Sequence, residues 1–271
     1  MTRTQSVKDA TGAAAARLLA AAESRVPCAP VRDLVGAADI ARAYAVQEEV
    51  NAARIATGAR VVGRKIGLTS AAVQKQLGVN QPDLGVLFAD MEYADGQVVA
   101  DGRLLQPKVE GEIAFGLGAD LVEGALSLDQ VRAAVAWVSV AIEVCDSRIA
   151  GWDITFGDTV ADNASAGGYV LGARRRNLNE FEPRDAAMVM TVTGQEDSIG
   201  TGEACLGDPL LALQWLARQA RDLGTPLLAG QVILSGALGP MRPVSPGAEV
   251  VVTIEGLGSA SVTFGEEEAA G

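Results

Sequence analysis

The first sixty residues of the chain carry apolar side chains at the spacing of amphipathic helices. Two segments have this pattern, Thr11–Ser24 and Asp39–Thr57, and Gly58 follows the second as a helix stop. Prolines and a glycine lie between the two segments. The pattern therefore predicts a helical N-terminal region over residues 1–59.

From residue 60 onward the pattern changes to short runs of β-branched and aliphatic residues, mostly bounded by Gly, Pro or Asp. These runs predict strands at Val61–Leu68, Leu104–Val109, Ile113–Leu117, Val138–Val144, Tyr169–Leu171, Met188–Thr193, Val232–Leu234, Val250–Ile254 and Ala260–Phe264.

Two predicted helices interrupt the strands. One spans Leu128–Trp137, and the other begins with Asp208 as N-cap and Pro209 at the first helical position and ends at Gly224. Single helices inserted among many strands favour an α+β fold over a doubly wound sheet. We therefore expect a β-rich domain over residues 60–271.

Three glutamates lie in segments that otherwise resemble buried strands. Glu110 and Glu112 are two residues apart, so in a strand they point to the same face. Glu143 stands on the face opposite the apolar residues of its own strand. Carboxylates in apolar surroundings are costly to desolvate unless positive charge meets them.

Two interpretations of these glutamates remain open at this point. A pair of glutamates on one strand face is most often simply solvated. Alternatively, the three carboxylates bind a metal ion. The chain contains no histidine, which excludes histidine-rich metal sites, and oxygen ligands suit Mg²⁺ or Mn²⁺.

Four further segments contain polar residues that could carry chemistry. Lys65 interrupts an apolar strand between two glycines, and the alternative is a surface lysine with its stem buried. Asp83 lies in a turn-rich loop, where it either ends a turn or faces a pocket. Asn163 and Ser165 either belong to an ordinary loop or donate to a substrate oxygen. Ser235 begins a small-residue turn that could bind an anion through backbone N–H groups.

The composition limits the possible partners. The net charge of −12 argues against nucleic acid and anionic membranes. Three scattered cysteines, Cys28, Cys145 and Cys205, do not form a disulfide framework, which fits the reducing cytoplasm. We interpret each as a small buried residue rather than a nucleophile, because no histidine can activate it. A Ser-His-Asp triad is impossible, and no P-loop or dinucleotide-binding motif is present.

Taken in order, these segments resemble the 2-keto-4-pentenoate (2-hydroxypenta-2,4-dienoate) hydratases, within the fumarylacetoacetate-hydrolase-like superfamily. The 4-oxalocrotonate decarboxylases belong to the same branch. One departure is Asp208, where relatives often have histidine. The matching stretches are Gly63–Thr69, Gln76–Met91, Gln106–Ala114, Ala141–Trp152, Asp158–Ser165 and Ser235–Met241.

The resemblance implies a mixed β-roll with an added helical N-terminal region and a metal-dependent enzyme in a homo-oligomer. It implies a site with the following members: Glu110, Glu112 and Glu143 as ligands of Mg²⁺ or Mn²⁺, Lys65 and Asp83 as catalytic residues, and Ser165, Leu84 and Ser235 in substrate binding.

The implied reaction is hydration of 2-hydroxypenta-2,4-dienoate, a small anionic acid, in the degradation of aromatic compounds. The turn Ser235–Met241 and the sequence at 81–83 look like the hydratase version of these motifs. Two alternatives stay open. One is decarboxylation of a 2-oxo-3-enedioate, and the other is a non-catalytic subunit that associates with another enzyme of the pathway.

Overall fold

The computed structural model describes residues 3–70, 74–75 and 78–266, with side chains from residue 9 onward. The helices of this part of the chain are α1 (Arg3–Ser24), α2 (Arg32–Val35), α3 (Ile40–Ala56), α4 (Leu128–Ala134), α5 (Phe156–Ala161) and α6 (Pro209–Asp222). None of these helices is long and apolar enough to cross a lipid bilayer.

The strands are β1 (Val61–Gly67), β2 (Asp83–Phe88), β3 (Glu92–Tyr93), β4 (Gln97–Val99), β5 (Pro107–Leu117), β6 (Val135–Asp146), β7 (Ala166–Leu171), β8 (Ala187–Val192), β9 (Ser198–Thr201), β10 (Val232–Leu234), β11 (Arg242–Pro243), β12 (Glu249–Ile254) and β13 (Gly258–Phe264).

These strands form two mixed sheets. The larger has the order β2-β1-β10-β5-β6-β7-β3, with β11 added beside β5, and the smaller has the order β4-β13-β12-β8-β9. The β5–β6 pair is antiparallel and runs almost the full length of both strands. The larger sheet curls, because β2 also approaches β7 near the opposite end of the strand order. A mixed α+β fold was the prediction, and it is confirmed.

The two sheets pack against each other through one face of β5. Gly111 lies at the closest approach, where an added Cβ atom would be 2.9 Å from Met188 Sδ and 3.1 Å from Val252 Cγ1. Val109 and Ile113 are buried on the same side of the strand. Because side chains alternate along a strand, the glutamates of β5 point away from this core.

Several sequence-based boundaries were wrong. The helix predicted for Leu128–Trp137 ends at Ala134, because the chain continues directly into the long strand β6. The two runs predicted as separate strands around the glutamates form one strand, β5. Asp83 is the first residue of a strand and not part of a turn-rich loop. By contrast, the carboxylate of Asp208 accepts a hydrogen bond from Leu210 N (2.8 Å), so the predicted N-cap of α6 is confirmed.

The N-terminal helices pack against the β-rich part through a hydrophobic cluster of their own. Leu18 of α1, Val35 of α2 and Val46 of α3 are buried together with Phe156 and Val160 of α5. The boundary at residue 59 between a helical region and a catalytic domain stays a prediction. What the packing shows is that α5 contacts both parts, since it packs against α3 and also contacts β2.

Asp158 connects the N-terminal helices to α5 through hydrogen bonds. Its fully buried carboxylate accepts from Val31 N and Arg32 N (both 2.9 Å), and from the Arg32 guanidinium (3.0 Å). It also accepts from the backbone and hydroxyl of Thr155, which caps α5. A buried carboxylate with this many donors is well stabilised, and its removal leaves all of them unsatisfied.

We predict that Asp158→Ala lowers the free energy of unfolding by about 3–5 kcal/mol, because it leaves several buried hydrogen-bond donors without an acceptor. Urea denaturation of the purified variant measures this change. Asp153→Ala is the matched control: Asp153 also pairs with Arg32, but its side chain is 69% exposed, so its loss should cost less than about 1 kcal/mol. Equal effects of the two substitutions would contradict the assigned role of Asp158.

Candidate metal and active site

The three glutamates predicted as ligands lie on one face of the β5–β6 pair. Glu110 and Glu143 are directly opposite each other, and Glu112 pairs with Ala141 one step further along the same face. Glu112 and Glu143 are 0% and 1% exposed, whereas Glu110 is half-buried and marks the open side of the group. The expectation that Glu110 and Glu112 share a face is confirmed, and the strand register adds Glu143 to that face.

Lys65 and Asp83 reach the same group from β1 and β2. Asp83 lies opposite Gly67, two residues along the strand from Lys65. Lys65 Nζ is 2.9 Å from Glu143 Oε1, although β10 and β5 separate their strands in the sheet order. The curl of the sheet brings the two side chains together.

Two glycines make this approach sterically possible. A Cβ atom at Gly67 would lie 2.2 Å from Asp83 Oδ1, and one at Gly85 would lie 2.5 Å from the Asn163 carbonyl oxygen and 3.1 Å from the Lys65 side chain. Any larger residue at either position would displace the lysine, the aspartate or the backbone beside them.

The turn Asn163–Ser165 covers the lysine and has an unusual backbone. All three of its residues have positive φ, between 51° and 54°, and none is glycine, which costs roughly 1–2 kcal/mol for each residue. The Asn163 amide compensates by bonding both Val86 N (2.8 Å) and Val86 O (2.9 Å). The turn directs the Ala164 carbonyl oxygen to within 2.8 Å of Lys65 Nζ.

The surroundings of the acidic groups disfavour their ionised forms. Burial, followed by the charge of Glu143, raises the pKa of Glu110 to about 7, and burial raises the pKa of Asp83. The same two causes raise the pKa of Glu112 well above its usual range. Lys65 responds in the opposite sense: burial opposes its charge, but Glu143 and the other acids raise its pKa well above normal. One ammonium does not neutralise four neighbouring carboxyl groups, three of them buried, so the site favours an additional cation.

The oxygen atoms of this group fit a metal ion. Glu112 Oε1 and Glu143 Oε2 are buried and accept no hydrogen bond from the described residues. One ligand atom each of Glu110, Glu143 and Cys145 lies within 4.8 Å of the other two. Glu143 belongs to both sets, and its free oxygen beside a second carboxylate suits a divalent cation, which prefers oxygen ligands and negative charge.

Glu112 belongs to the acidic face but not to that tight group. Its Oε2 atom accepts a hydrogen bond from Gly236 N (2.8 Å), which holds the carboxylate toward the turn after β10. Cys145 takes its place in the group, with Sγ 3.9 Å from Glu110 Oε2. The sequence interpretation treated Cys145 only as a small buried residue. The strand period was the available signal, because Cys145 is two residues after Glu143.

The remaining candidates differ in how their polar atoms are used. Ser165 Oγ is buried without a hydrogen-bond partner among the described residues and so is free to bind a ligand. The Ser235 hydroxyl, in contrast, accepts from Ile113 N and donates to Gly236 O. Leu84 packs in the main core, on the side of β2 away from Asp83. The Asn163 amide, expected as a possible substrate donor, bonds the backbone of Val86 instead.

Two polar groups have roles in the site that the sequence does not show: the Ala164 carbonyl group and the amide of Asn163. The Ala164 carbonyl oxygen, which accepts from Lys65, carries no side-chain signal at all. Asn163 was noticed, but its function as a brace of a left-handed turn depends on contacts between residues 77 positions apart. Only the folded chain reveals such contacts.

Comparison with known proteins identifies the family that this chain matches. Residues 60–264 match the family model for the fumarylacetoacetate (FAA) hydrolase C-terminal domain. The chain is 51% identical over 251 residues to the TodF product hydratase of Pseudomonas putida, covering 93% of this chain and 94% of that one. It is 51% identical to 2-keto-4-pentenoate hydratase 2 of Dechloromonas aromatica over 252 residues, covering 93% of this chain and 96% of the relative.

A solved structure resembles the whole fold, including the N-terminal helices. It is 4-oxalocrotonate decarboxylase from Pseudomonas putida G7, complexed with magnesium and adipate, with a TM-score of 0.89 and 34% identity over 97% of this chain and 98% of that one. With a matching family model over most of its length and hydratase relatives at half identity, the chain belongs to the fumarylacetoacetate hydrolase C-terminal family, in the branch of the 2-keto-4-pentenoate hydratases.

Proposed function

We propose that this protein is a metal-dependent hydro-lyase that adds water to 2-hydroxypenta-2,4-dienoate and releases 4-hydroxy-2-oxopentanoate. The observation that carries the proposal is the acidic face with the buried lysine Lys65 paired to Glu143, in a chain half identical to hydratases. Hydration of a small unsaturated acid needs an electrophilic centre and groups that move protons in a site shielded from bulk water.

The metal of this proposal is Mg²⁺ or Mn²⁺. Glu110 and Glu143 would hold it, with Glu112 as the third carboxylate, and Cys145 lies beside them. The decarboxylase of similar fold was solved with magnesium, and hard dications prefer carboxylate oxygens. When bound, the dication supplies Lewis acidity that stabilises negative charge developing on the C2 oxygen of a 2-oxo acid.

Lys65 and Asp83 are the proposed proton-handling residues. The dienol gains a proton at C5 and loses one from its C2 hydroxyl, and water then adds at C4 while C3 is protonated. Asp83 is the proposed acid and base, because burial raises its pKa while Thr159 Oγ1 donates a hydrogen bond to its Oδ2 atom (3.3 Å). Lys65 remains charged beside Glu143, so it serves to donate a hydrogen bond or a proton. Ser165 offers its free hydroxyl to the substrate.

A second candidate function is decarboxylation of a 2-oxo-3-enedioate. The 34% identity to a 4-oxalocrotonate decarboxylase over nearly the whole chain favours keeping this alternative. The higher identity to hydratases favours hydration. A non-catalytic subunit is the third candidate, but an inactive subunit has no need for an ion pair as deeply buried as Lys65–Glu143.

Three broader features belong to the same proposal. Degradation of aromatic compounds is the process that the names of the hydratase relatives suggest. Assembly into a homo-oligomer, with or without another enzyme of the pathway, follows from the family resemblance. A cytoplasmic location agrees with three free cysteines among the described residues.

We predict that the protein consumes freshly generated 2-hydroxypenta-2,4-dienoate and that EDTA abolishes this activity. Loss of the dienol absorbance is the readout, and added Mg²⁺ should restore it. Removing the metal should reduce the rate at least about a hundredfold, because Lewis-acid stabilisation contributes several kcal/mol. Glu143→Gln, which keeps the shape of the side chain, should produce a comparable loss in a folded protein.

Other outcomes of this assay select other functions. Release of CO₂ from 2-oxohex-3-enedioate without hydration of the five-carbon dienol would identify a decarboxylase. Inactivity toward both acids in metal-loaded protein would identify a non-catalytic subunit. Full activity after exhaustive treatment with EDTA would contradict metal dependence.

We predict that Lys65→Met loses at least about a hundredfold in kcat, the lower end of what a proton-handling residue contributes. Its affinity for Mg²⁺ should be retained or increased, because the variant removes a positive charge 2.9 Å from Glu143. Calorimetric titration with Mg²⁺ separates the two effects, and Lys75→Met, at an exposed lysine, is the control. Collapse of Mg²⁺ affinity in Lys65→Met would assign the lysine a structural role instead.

A further inference from the structure

The acidic face lacks a cation for an anionic substrate. Lys65 is already engaged by Glu143 Oε1 (2.9 Å) and the Ala164 carbonyl oxygen (2.8 Å). Asp83 and the three glutamates place four carboxyl groups around this one lysine. A further carboxylate that enters this site is therefore helped by a second cationic side chain beside it.

Lys108 is on the same face of β5 as the glutamates. It precedes Glu110 by two residues and lies opposite Cys145 in the strand register. The lysine is half-buried, and within the described parts of the chain its ammonium forms no ion pair. It is thus a cation beside the open edge of the acidic face whose charge is not already used.

Trp152 holds the ammonium of Lys108 in place. Lys108 Nζ lies 4.1 Å from the centroid of the indole ring, a cation–π distance. The ring is itself fixed, because Trp152 Nε1 donates to Gln106 O (3.1 Å) and Gln106 Oε1 accepts from Gly151 N (2.7 Å). The backbone of Trp152 has a φ of 57°, in the left-handed region that residues other than glycine adopt uncommonly. A bulky residue kept in a left-handed conformation indicates that the position of this ring is constrained by its surroundings.

A cavity of about 470 Å³ opens beside this pair and is large enough for a small acid. Lys108 and Trp152 form part of its wall, together with apolar side chains such as Leu104, Pro243 and Phe264. Lys108 is the only lysine or arginine of the wall, so it is where a carboxylate in this cavity finds its charge partner. The wall is largely apolar, with one cation, Lys108, and one acidic side chain, Asp101, so it suits a carboxylate on a short hydrocarbon chain whose charged end lies at Lys108.

We propose that Lys108, held over Trp152, binds the carboxylate of the substrate beside Glu110, at the half-buried edge of the acidic face. The proposal rests on the proposed function, because it names the substrate-binding cation of that same site. Lys108 is the binding residue, and Trp152 is a positioning residue that acts through it. Neither takes part in proton transfer.

Binding of 2-oxopentanoate to the magnesium-loaded protein tests this proposal without turnover. This acid is a saturated analogue of the keto form, and its methyl ester keeps the C2 oxygen but lacks the charge. Calorimetry should show that Lys108→Met raises the Kd of the acid on the order of tenfold, as expected for loss of a charged hydrogen-bond partner. The Kd of the methyl ester should change less than about twofold, since the ester offers no charge for the lysine to pair with.

The controls separate a local effect from a global one. Arg175→Met removes a cation stacked 4.1 Å from the centroid of another indole, Trp137, and should leave both dissociation constants unchanged. Lys108→Arg should restore most of the affinity for the acid. Trp152→Leu should weaken binding of the acid but not the ester, and Trp152→Phe, which keeps a ring under the ammonium, should weaken it less.

Two results would overturn the proposal: an unchanged Kd for 2-oxopentanoate in Lys108→Met, or an equal loss for the acid and its ester. Failure of the proposed function is a different observation. In that case the unmodified protein does not hydrate the dienol, whereas the comparison of acid with ester still reports on Lys108.

Discussion

Lys65 and Glu143 form a 2.9 Å ion pair on the inner face of the curled sheet, and the rest of the site is arranged around it. Two buried charges in contact are stable only when their remaining polar atoms are also satisfied. The ammonium meets this condition through the Ala164 carbonyl oxygen, whereas Glu143 Oε2 does not. Glu110 and Asp83 lie nearby, so the acidic groups around this pair outnumber the one ammonium. The described side chains therefore leave a position at which an additional cation is favoured.

Several local features keep these charged side chains in contact. Gly67 and Gly85 leave room for the aspartate and the lysine, and Asn163 braces a turn of three left-handed residues over them. The cost of that turn is offset by hydrogen bonds that exist only in the folded chain. Asp158 then joins α5, which precedes the turn, to the N-terminal helices. The helical region thus supports the site although it supplies none of the proposed metal ligands.

The sequence predicted the parts of this arrangement that depend on strand period. Glu110, Glu112 and Glu143 were expected on one side of their strands, and the register agrees. Asp208 was recognised as a cap because capping is local. The strand at Asp83 was missed, since its glycine and short length resemble a loop. The strand period alone also does not determine which carboxylates lie close together. Gly236 N donates to Glu112 and holds it toward the turn after β10, and Cys145 lies with Glu110 and Glu143 instead. These outcomes depend on contacts between distant segments.

The central claim is that the buried acids are tolerated because a dication occupies the space between them. The most direct measurement is an anomalous difference map from crystals soaked in Mn²⁺. The account predicts a single strong peak within bonding distance of carboxylate oxygens of Glu110 and Glu143. A map without a peak there, with the two side chains turned away from each other, would contradict it.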